Sequence, residues 1–231
     1  MRILLSGQKY FGAETLRALL ADGRDVVSVV APAAGLDGRT DRLYAAADAY
    51  RIPVIDPASL NRHTVPPDVD LIVCAHSHAF VSEAVRLRTT YGAIGYHPSL
   101  LPLHRGRDAV KWAVRMGDRV TGGTVFWLSN KIDGGPIAAQ DYCFISPGET
   151  ARDLWQKKLM PMGLRLLRAV IADVGAGVAV RRPQDESLAT WEPSLDPPRL
   201  HRPDLVLLGD GSPESLKAAF DLYSPERVFG A

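Results

Sequence analysis

Gly92-Ala-Ile-Gly-Tyr-His-Pro-Ser-Leu-Leu-Pro102 is the stretch on which the fold turns. Ala93 to His97 reads as a short buried strand that Pro98 ends, because the proline ring offers no N–H to a ladder and biases Tyr96-His97 to an extended approach. Alternate side chains of a strand share a face, so position 95 and His97 look the same way. His97 then stands at the strand's carboxyl edge, where open parallel sheets bind their ligands.

Working outward, short apolar runs alternate with helical patterns. Arg2 to Ser6, Val26 to Ala31 and Leu71 to Ala75 read as buried strands, with helices from about Ala13 to Ala21 and Asp41 to Tyr50 between them. That alternation predicts an α/β fold with a mostly parallel sheet. Gly7 and Gly12 flank the first turn but match neither G-x-G-x-x-G nor the phosphate loop, since Ala13 stands where the lysine would be. Gly7 is read as allowing a tight strand-to-helix turn and Gly12 as allowing the helix to pack closely on the sheet, with Gln8 and Lys9 at the cleft mouth.

Thr121 to Ser129 and Ile137 to Phe144 are two further strands, joined by a loop from Asn130 to Pro136 that carries Asp133 in Ile132-Asp133-Gly134-Gly135. Gly134-Gly135-Pro136 is expected to make the turn. Thr150 to Val174 has apolar residues at helical spacing and an interruption at Pro161, which predicts a long kinked helix with Trp155 in the core. From Pro183 to Pro203 proline and charge suggest an extended arm, and Ser212-Pro213-Glu214 then opens a short helix. The expected organisation is a catalytic domain over 1–182 and an arm with a short helix over 183–231.

A chain of 231 residues, 46% hydrophobic and 23% charged, can bury a full core as one domain, or as one domain with a small appendage. Its formal net charge is +1 with scattered Lys and Arg, which gives no broad electrostatic footprint for nucleic acid. Cys74 and Cys143 lie in apolar runs, offering no disulfide framework and no metal-ligand spacing. His76 and His78 could share a face, yet a zinc site wants a third ligand and none stands at a recognised spacing, so no metal is expected. Met1 leads directly into a strand, short of a signal peptide or membrane span, so a cytoplasmic protein without membrane contact is expected.

His-Pro-Ser-Leu-Leu-Pro from His97 to Pro102, together with Asp133-Gly134-Gly135, resembles the formyltransferase family that uses 10-formyltetrahydrofolate. The family pattern is Asn-x-His-Pro-Ser-Leu-Leu-Pro followed by Leu-Asp-x-Gly. Its Asn falls on Gly95 here, and the nearest likeness is to the hydrolase domain of 10-formyltetrahydrofolate dehydrogenase, which also lacks it. Gly7-Gln8-x-x-Phe11-Gly12, Trp112, Gly117-Asp118, Phe126-Trp127 and Leu159-x-Pro161-x-Gly163 extend the likeness, which runs without gaps from about Cys74 to Gly163 and fades after Arg182. Methionyl-tRNA formyltransferases carry a further basic C-terminal barrel, for which too few residues remain after Arg182, so that member is disfavoured.

The resemblance implies a Rossmann-like domain with 10-formyltetrahydrofolate as substrate or formyl donor, a small folate as partner and, as the alternative to water, a small amine acceptor. It gives catalytic roles to His97, as polariser of the formyl carbonyl, and Asp133, as base. Taken alone, His97 could be a strand-end histidine satisfied by backbone, and Asp133 a turn residue capping local N–H groups. Ala79, Phe80 and Val81 take the family's substrate-contacting places, the alternative for Phe80 and Val81 being core packing. At Gly95 an oxyanion donor is missing, and a water in the vacated space would favour hydrolysis over transfer to an amine. A silent folate-binding protein is the third possibility. Arg107 stands where the family has a small residue and reads as a solvated basic turn or as a site for an anionic group.

Overall fold

The computed structural model describes residues 1–35 and 37–195. Within them, Met1–Pro193 forms one compact unit. The predicted helix at Ser212-Pro213-Glu214 and the arm beyond Leu195 lie outside the described residues.

The strands are β1 (Arg2–Gly7), β2 (Asp25–Val30), β3 (Val54–Ile55), β4 (Leu71–Ala75), β5 (Ala93–His97), β6 (Val120–Trp127) and β7 (Ile137–Phe144). The α-helices are α1 (Lys9–Ala21), α2 (Arg42–Ala49), α3 (Glu83–Arg86), α4 (Ala109–Met116), α5 (Ala151–Leu154) and α6 (Met160–Gly175). One seven-stranded sheet runs in the order β3-β2-β1-β4-β5-β6-β7. Pairing is parallel from β3 through β5 and antiparallel at β5–β6 and β6–β7. This is the expected Rossmann-like sheet. Strands β1 and β4 are buried on both faces, which is why they read as continuous apolar runs rather than alternating ones. The larger core lies under α1, α2 and α6, and the smaller, on the opposite face, gathers Leu4, Ile72, Cys74, Val81, Val85 and Ala93.

Strand order reverses at β1, whose neighbours are β2 and β4, and a cleft of about 150 Å³ opens at this switch point. Gly7, Gln8, Val30, Ser77, His78 and Ala79 are among its walls. Asp41, 5% exposed, caps α2 by accepting from the Leu43 N–H and also accepts from the Lys9 N–H, tying the first turn to the second helix.

Three local expectations change. Helix α1 begins at Lys9 rather than Ala13, with Gln8 at its cap and no side-chain bond there to announce the start. Gly7 closes β1, and the left-handed residue of the turn is Lys9, at φ 57°. A Cβ at Gly7 would lie 2.3 Å from the Ala75 carbonyl oxygen, so Gly7 serves close strand packing rather than a turn. The irregularity of the long helix falls ahead of Pro161 rather than at it: α5 runs through a π-helical stretch, Trp155–Leu159, directly into α6. Trp155 is partly buried against the core, its ring 5.4 Å from Phe11 edge-on. No helix among the described residues is long and apolar enough to cross a membrane.

Candidate active site

His97 ends β5 opposite Thr124 of β6. The turn after it is stapled down: Thr124 Oγ1 donates to the Ser99 carbonyl and accepts from the Leu101 N–H, while Ser99 Oγ donates to the Leu103 carbonyl. The imidazole is 7% exposed. Its Nε2 lies 2.7 Å from the His104 carbonyl oxygen, which can only accept, so Nε2 carries a proton. The other nitrogen, Nδ1, faces Asp133 Oδ2 at 3.7 Å. A neutral His97 therefore presents a lone pair to Asp133, and an imidazolium presents an N–H. The backbone-satisfied reading of His97 holds for one of its two nitrogens.

Asp133 sits on the β6–β7 loop at φ 48°, a left-handed conformation uncommon outside glycine. Its Oδ2 accepts from the Gly106 N–H at 2.8 Å. That partner is distant in sequence, so the carboxylate bridges two loops instead of capping its own turn. The side chain is 19% exposed, open enough to meet a small reactant and dry enough to strengthen its electrostatic contacts. The 3.7 Å gap exceeds hydrogen-bond length, as is common before a reactant tightens such a pair.

Gly95 lies one strand repeat before His97. A Cβ there would meet Leu128 Cδ1 at 3.1 Å, Cys74 Cβ at 3.5 Å and Phe126 Cε1 at 3.5 Å. These walls are apolar, and burial pushes the Cys74 thiol up to about 12, so it stays neutral. A water needs polar partners, and the three atoms nearest position 95 are all carbon. Cys74 and Leu128 belong to the cluster that also holds Val81 and Ala79, so the structure brings two of the three expected substrate-loop residues to the Gly95 side of the sheet.

Phe80 is different. It is 83% exposed, which removes the core-packing alternative for it, whereas Val81 is buried in the core as well as on the loop. Nearby, His76 and His78 stack edge-to-face at 5.5 Å. Partial desolvation, with the charges of Lys9 and His78, pushes His76 down to about 4. Desolvation, Arg107 and Lys9 likewise lower His78, so both rings are neutral at physiological pH. Arg107 is exposed, within electrostatic reach of His78.

Sequence reasoning missed His104. It is 7% exposed, with Nε2 2.8 Å from Asp118 Oδ2 and Nδ1 3.1 Å from Glu192 Oε2. Its main chain holds His97 while its Nε2 is hydrogen-bonded to Asp118; the Glu192 carboxylate lies beside Nδ1 without hydrogen-bond geometry. Arg105, also buried, donates to both oxygens of Glu186 at 3.0 Å and to Gln184 Oε1 at 2.8 Å. The partners are far apart in sequence and share no periodicity. The only available signal was that His104-Arg105-Gly106 follows the main motif.

Comparison with known proteins gives the family: the formyl transferase family profile matches residues 1–170. The chain belongs to the formyl transferase family. This formyl transferase chain is 34% identical over 202 residues to mitochondrial 10-formyltetrahydrofolate dehydrogenase of Mus musculus, covering 83% of the chain and 22% of that protein. It thus spans about a fifth of the length of that relative. It is 30% identical to methionyl-tRNA formyltransferase of Thermotoga maritima over 99% of the chain and 75% of that protein. Among solved structures, an N-formyltransferase from Helicobacter canadensis, in complex with folinic acid and dTDP-3-aminofucose, superposes with a TM-score of 0.67 at 16% identity, covering 82% of this chain and 70% of that one. At that identity the likeness shows the fold.

Proposed function

We propose that this formyl transferase chain hydrolyses 10-formyltetrahydrofolate to formate and tetrahydrofolate, with His97 and Asp133 as the catalytic pair. The observation that carries the reading is the His97 tautomer: Nε2 is committed to the His104 carbonyl, leaving Nδ1 aimed at Asp133 across 3.7 Å. A formyl carbon and an attacking water placed at this gap meet a proton acceptor and a proton donor together. Asp133 takes a proton from the water as its oxygen bonds to the formyl carbon. His97, as the imidazolium, donates Nδ1–H to the oxygen that becomes negative. The C–N bond then breaks, Asp133 returns its proton to the departing folate nitrogen, and formic acid ionises in solvent. The dehydrogenase relative, whose hydrolase domain the motif resembles, supports water as acceptor.

A second reading, transfer to a small amine or amino sugar, is favoured by the carbon atoms nearest position 95, which offer a water no hydrogen bond. A tRNA acceptor would call for a broad basic face, whereas the net charge is +1. The deciding assay follows loss of 10-formyltetrahydrofolate without any amine and then with a panel of amines. Amine-independent loss supports hydrolysis, and strict amine dependence overturns it in favour of transfer. Binding without turnover under every condition would leave only a folate-binding protein.

Gly95→Asn separates the two enzymatic readings. The new Cβ would press on the tip of the half-buried Leu128, which can give by the few tenths of an ångström required. For a hydrolase, the added side chain crowds the water's approach, and amine-independent turnover is expected to fall severalfold. For a transferase, restoring an oxyanion donor should raise amine-dependent turnover by about 10²- to 10³-fold.

Phe80→Asp tests the substrate loop. Because Phe80 is 83% exposed, the variant should melt like the wild type. If Phe80 covers the pterin, calorimetric affinity for folinic acid should drop by about tenfold or more, in keeping with ~1.5–3 kcal/mol for burying one large apolar side chain. Unchanged affinity would remove Phe80 from the site.

A further inference from the structure

Beyond the residues matched by the family profile, the chain turns back over both loops that carry the pair. Arg182 and Ile137 exchange backbone hydrogen bonds, which delivers Gln184 beneath the Asp133 loop. Gln184 Nε2 donates to the carbonyls of Asp133 and Gly135, both at 2.7 Å, and its Oε1 accepts from Arg105. Farther along, Thr190 Oγ1 accepts from the His104 N–H at 2.7 Å, the Thr190 carbonyl accepts from the Arg105 N–H, and Glu192 contacts the His104 ring. Trp112 Nε1 donates to the Pro193 carbonyl, fastening the end of this strap to α4.

Each end of the strap therefore holds one member of the pair. Gln184 grips the loop of Asp133, whose left-handed backbone persists only where its surroundings hold it. Thr190 holds His104, whose carbonyl fixes the His97 tautomer. We infer that the strap from Gln184 to Pro193 sets the spacing of His97 and Asp133, and that Gln184 is the positioning residue for Asp133. This rests on the pair being catalytic, as proposed above.

Gln184→Met keeps the length of the side chain and removes both donors. It should lower kcat by about 10- to 100-fold, since a 1 Å misplacement at a reacting centre can cost 10²-fold. KM and calorimetric affinity for folinic acid should stay within about twofold, because the pterin contacts are not touched. Gln184→Glu should do no better, its carboxylate facing two carbonyls. In the Asp133→Asn background Gln184→Met should add little further loss. A full additive loss there, or wild-type kcat in Gln184→Met, would overturn the inference.

Crystal structures of wild type and Gln184→Met give a readout independent of turnover. The His97 Nδ1 to Asp133 Oδ2 distance should change in the variant, and an identical spacing would also overturn the inference. Failure of the catalytic reading is distinguishable, because it shows in His97→Ala and Asp133→Asn alone: if those retain near-native turnover the pair is wrongly assigned, whatever Gln184 does.

Discussion

Asp133→Asn is expected to lower turnover by about 10²- to 10⁴-fold, the range for loss of one positioned acid or base, while folinic acid binds as it does to the wild type. The substitution is nearly isosteric. The Asn carbonyl can still accept from the Gly106 N–H, so the bridge between the two loops survives and only the charge and the proton acceptor are lost. His97→Ala should cost a similar factor and in addition leave the His104 carbonyl without its donor, a penalty of about 1–3 kcal/mol in stability. The double variant should be little slower than the worse single one, because the two side chains act as a unit. Steady-state rates, calorimetric titration and melting curves on the three variants provide the check. Near-native turnover in either single variant would dismiss the pair, and loss of folinic acid binding in both would make their roles positional.

The largest structural effect is expected from Gly135→Ala. A Cβ at this position would stand 1.7 Å from the Trp127 carbonyl oxygen and 2.9 Å from its carbon. The obstacle is main chain at the end of β6, beside a residue that is 1% exposed, so it cannot swing aside as a side-chain tip would. The loop must move instead, dragging the carbonyl that Gln184 holds and with it Asp133. Overpacking of this kind costs about 1–3 kcal/mol, and the melting temperature should fall by roughly 2–4 °C for each. Turnover should fall by about 10²-fold through misplacement of the carboxylate. Gly134→Ala is the contrast: its Cβ would meet Lys131 Cβ at 2.9 Å, a tight contact with an exposed loop residue but far less severe than 1.7 Å from main chain, so a smaller effect than at Gly135 is expected. Equal tolerance of alanine at both positions would show that the loop yields more easily than this packing implies.

The sequence by itself determined six of the seven strands, missing the two-residue β3, and the two named catalytic candidates. Strands β4 and β5 appear with the boundaries read from the chain, because continuous apolar runs ended by a proline or a polar turn leave a buried strand little freedom to slide. The His-Pro-Ser-Leu-Leu-Pro and Asp-x-Gly stretches placed His97 and Asp133 in one family pattern, and the fold brings them to 3.7 Å. Local signals were weaker at the start of α1, where no capping side chain marks the helix, and at Pro161, where the irregular turn lies ahead of the proline.

What only the tertiary structure decided is everything that depends on which distant groups converge. The protonated nitrogen of His97 is chosen by a carbonyl in the next loop. The space at Gly95 is closed by Leu128 and Phe126, from β6 and the residues just after it, and by Cys74 of β4. The exposure of Phe80 distinguishes it from Val81, although the two adjoin in a single apolar run. The bonds of Asp118 and Thr190 to His104, and of Gln184 to the Asp133 loop, join segments with no shared period or motif. Periodicity reports which face a residue turns toward the core. Hydrogen-bond partners across loops are fixed by how the chain closes in space, so their chemistry becomes legible only once the fold has brought them together.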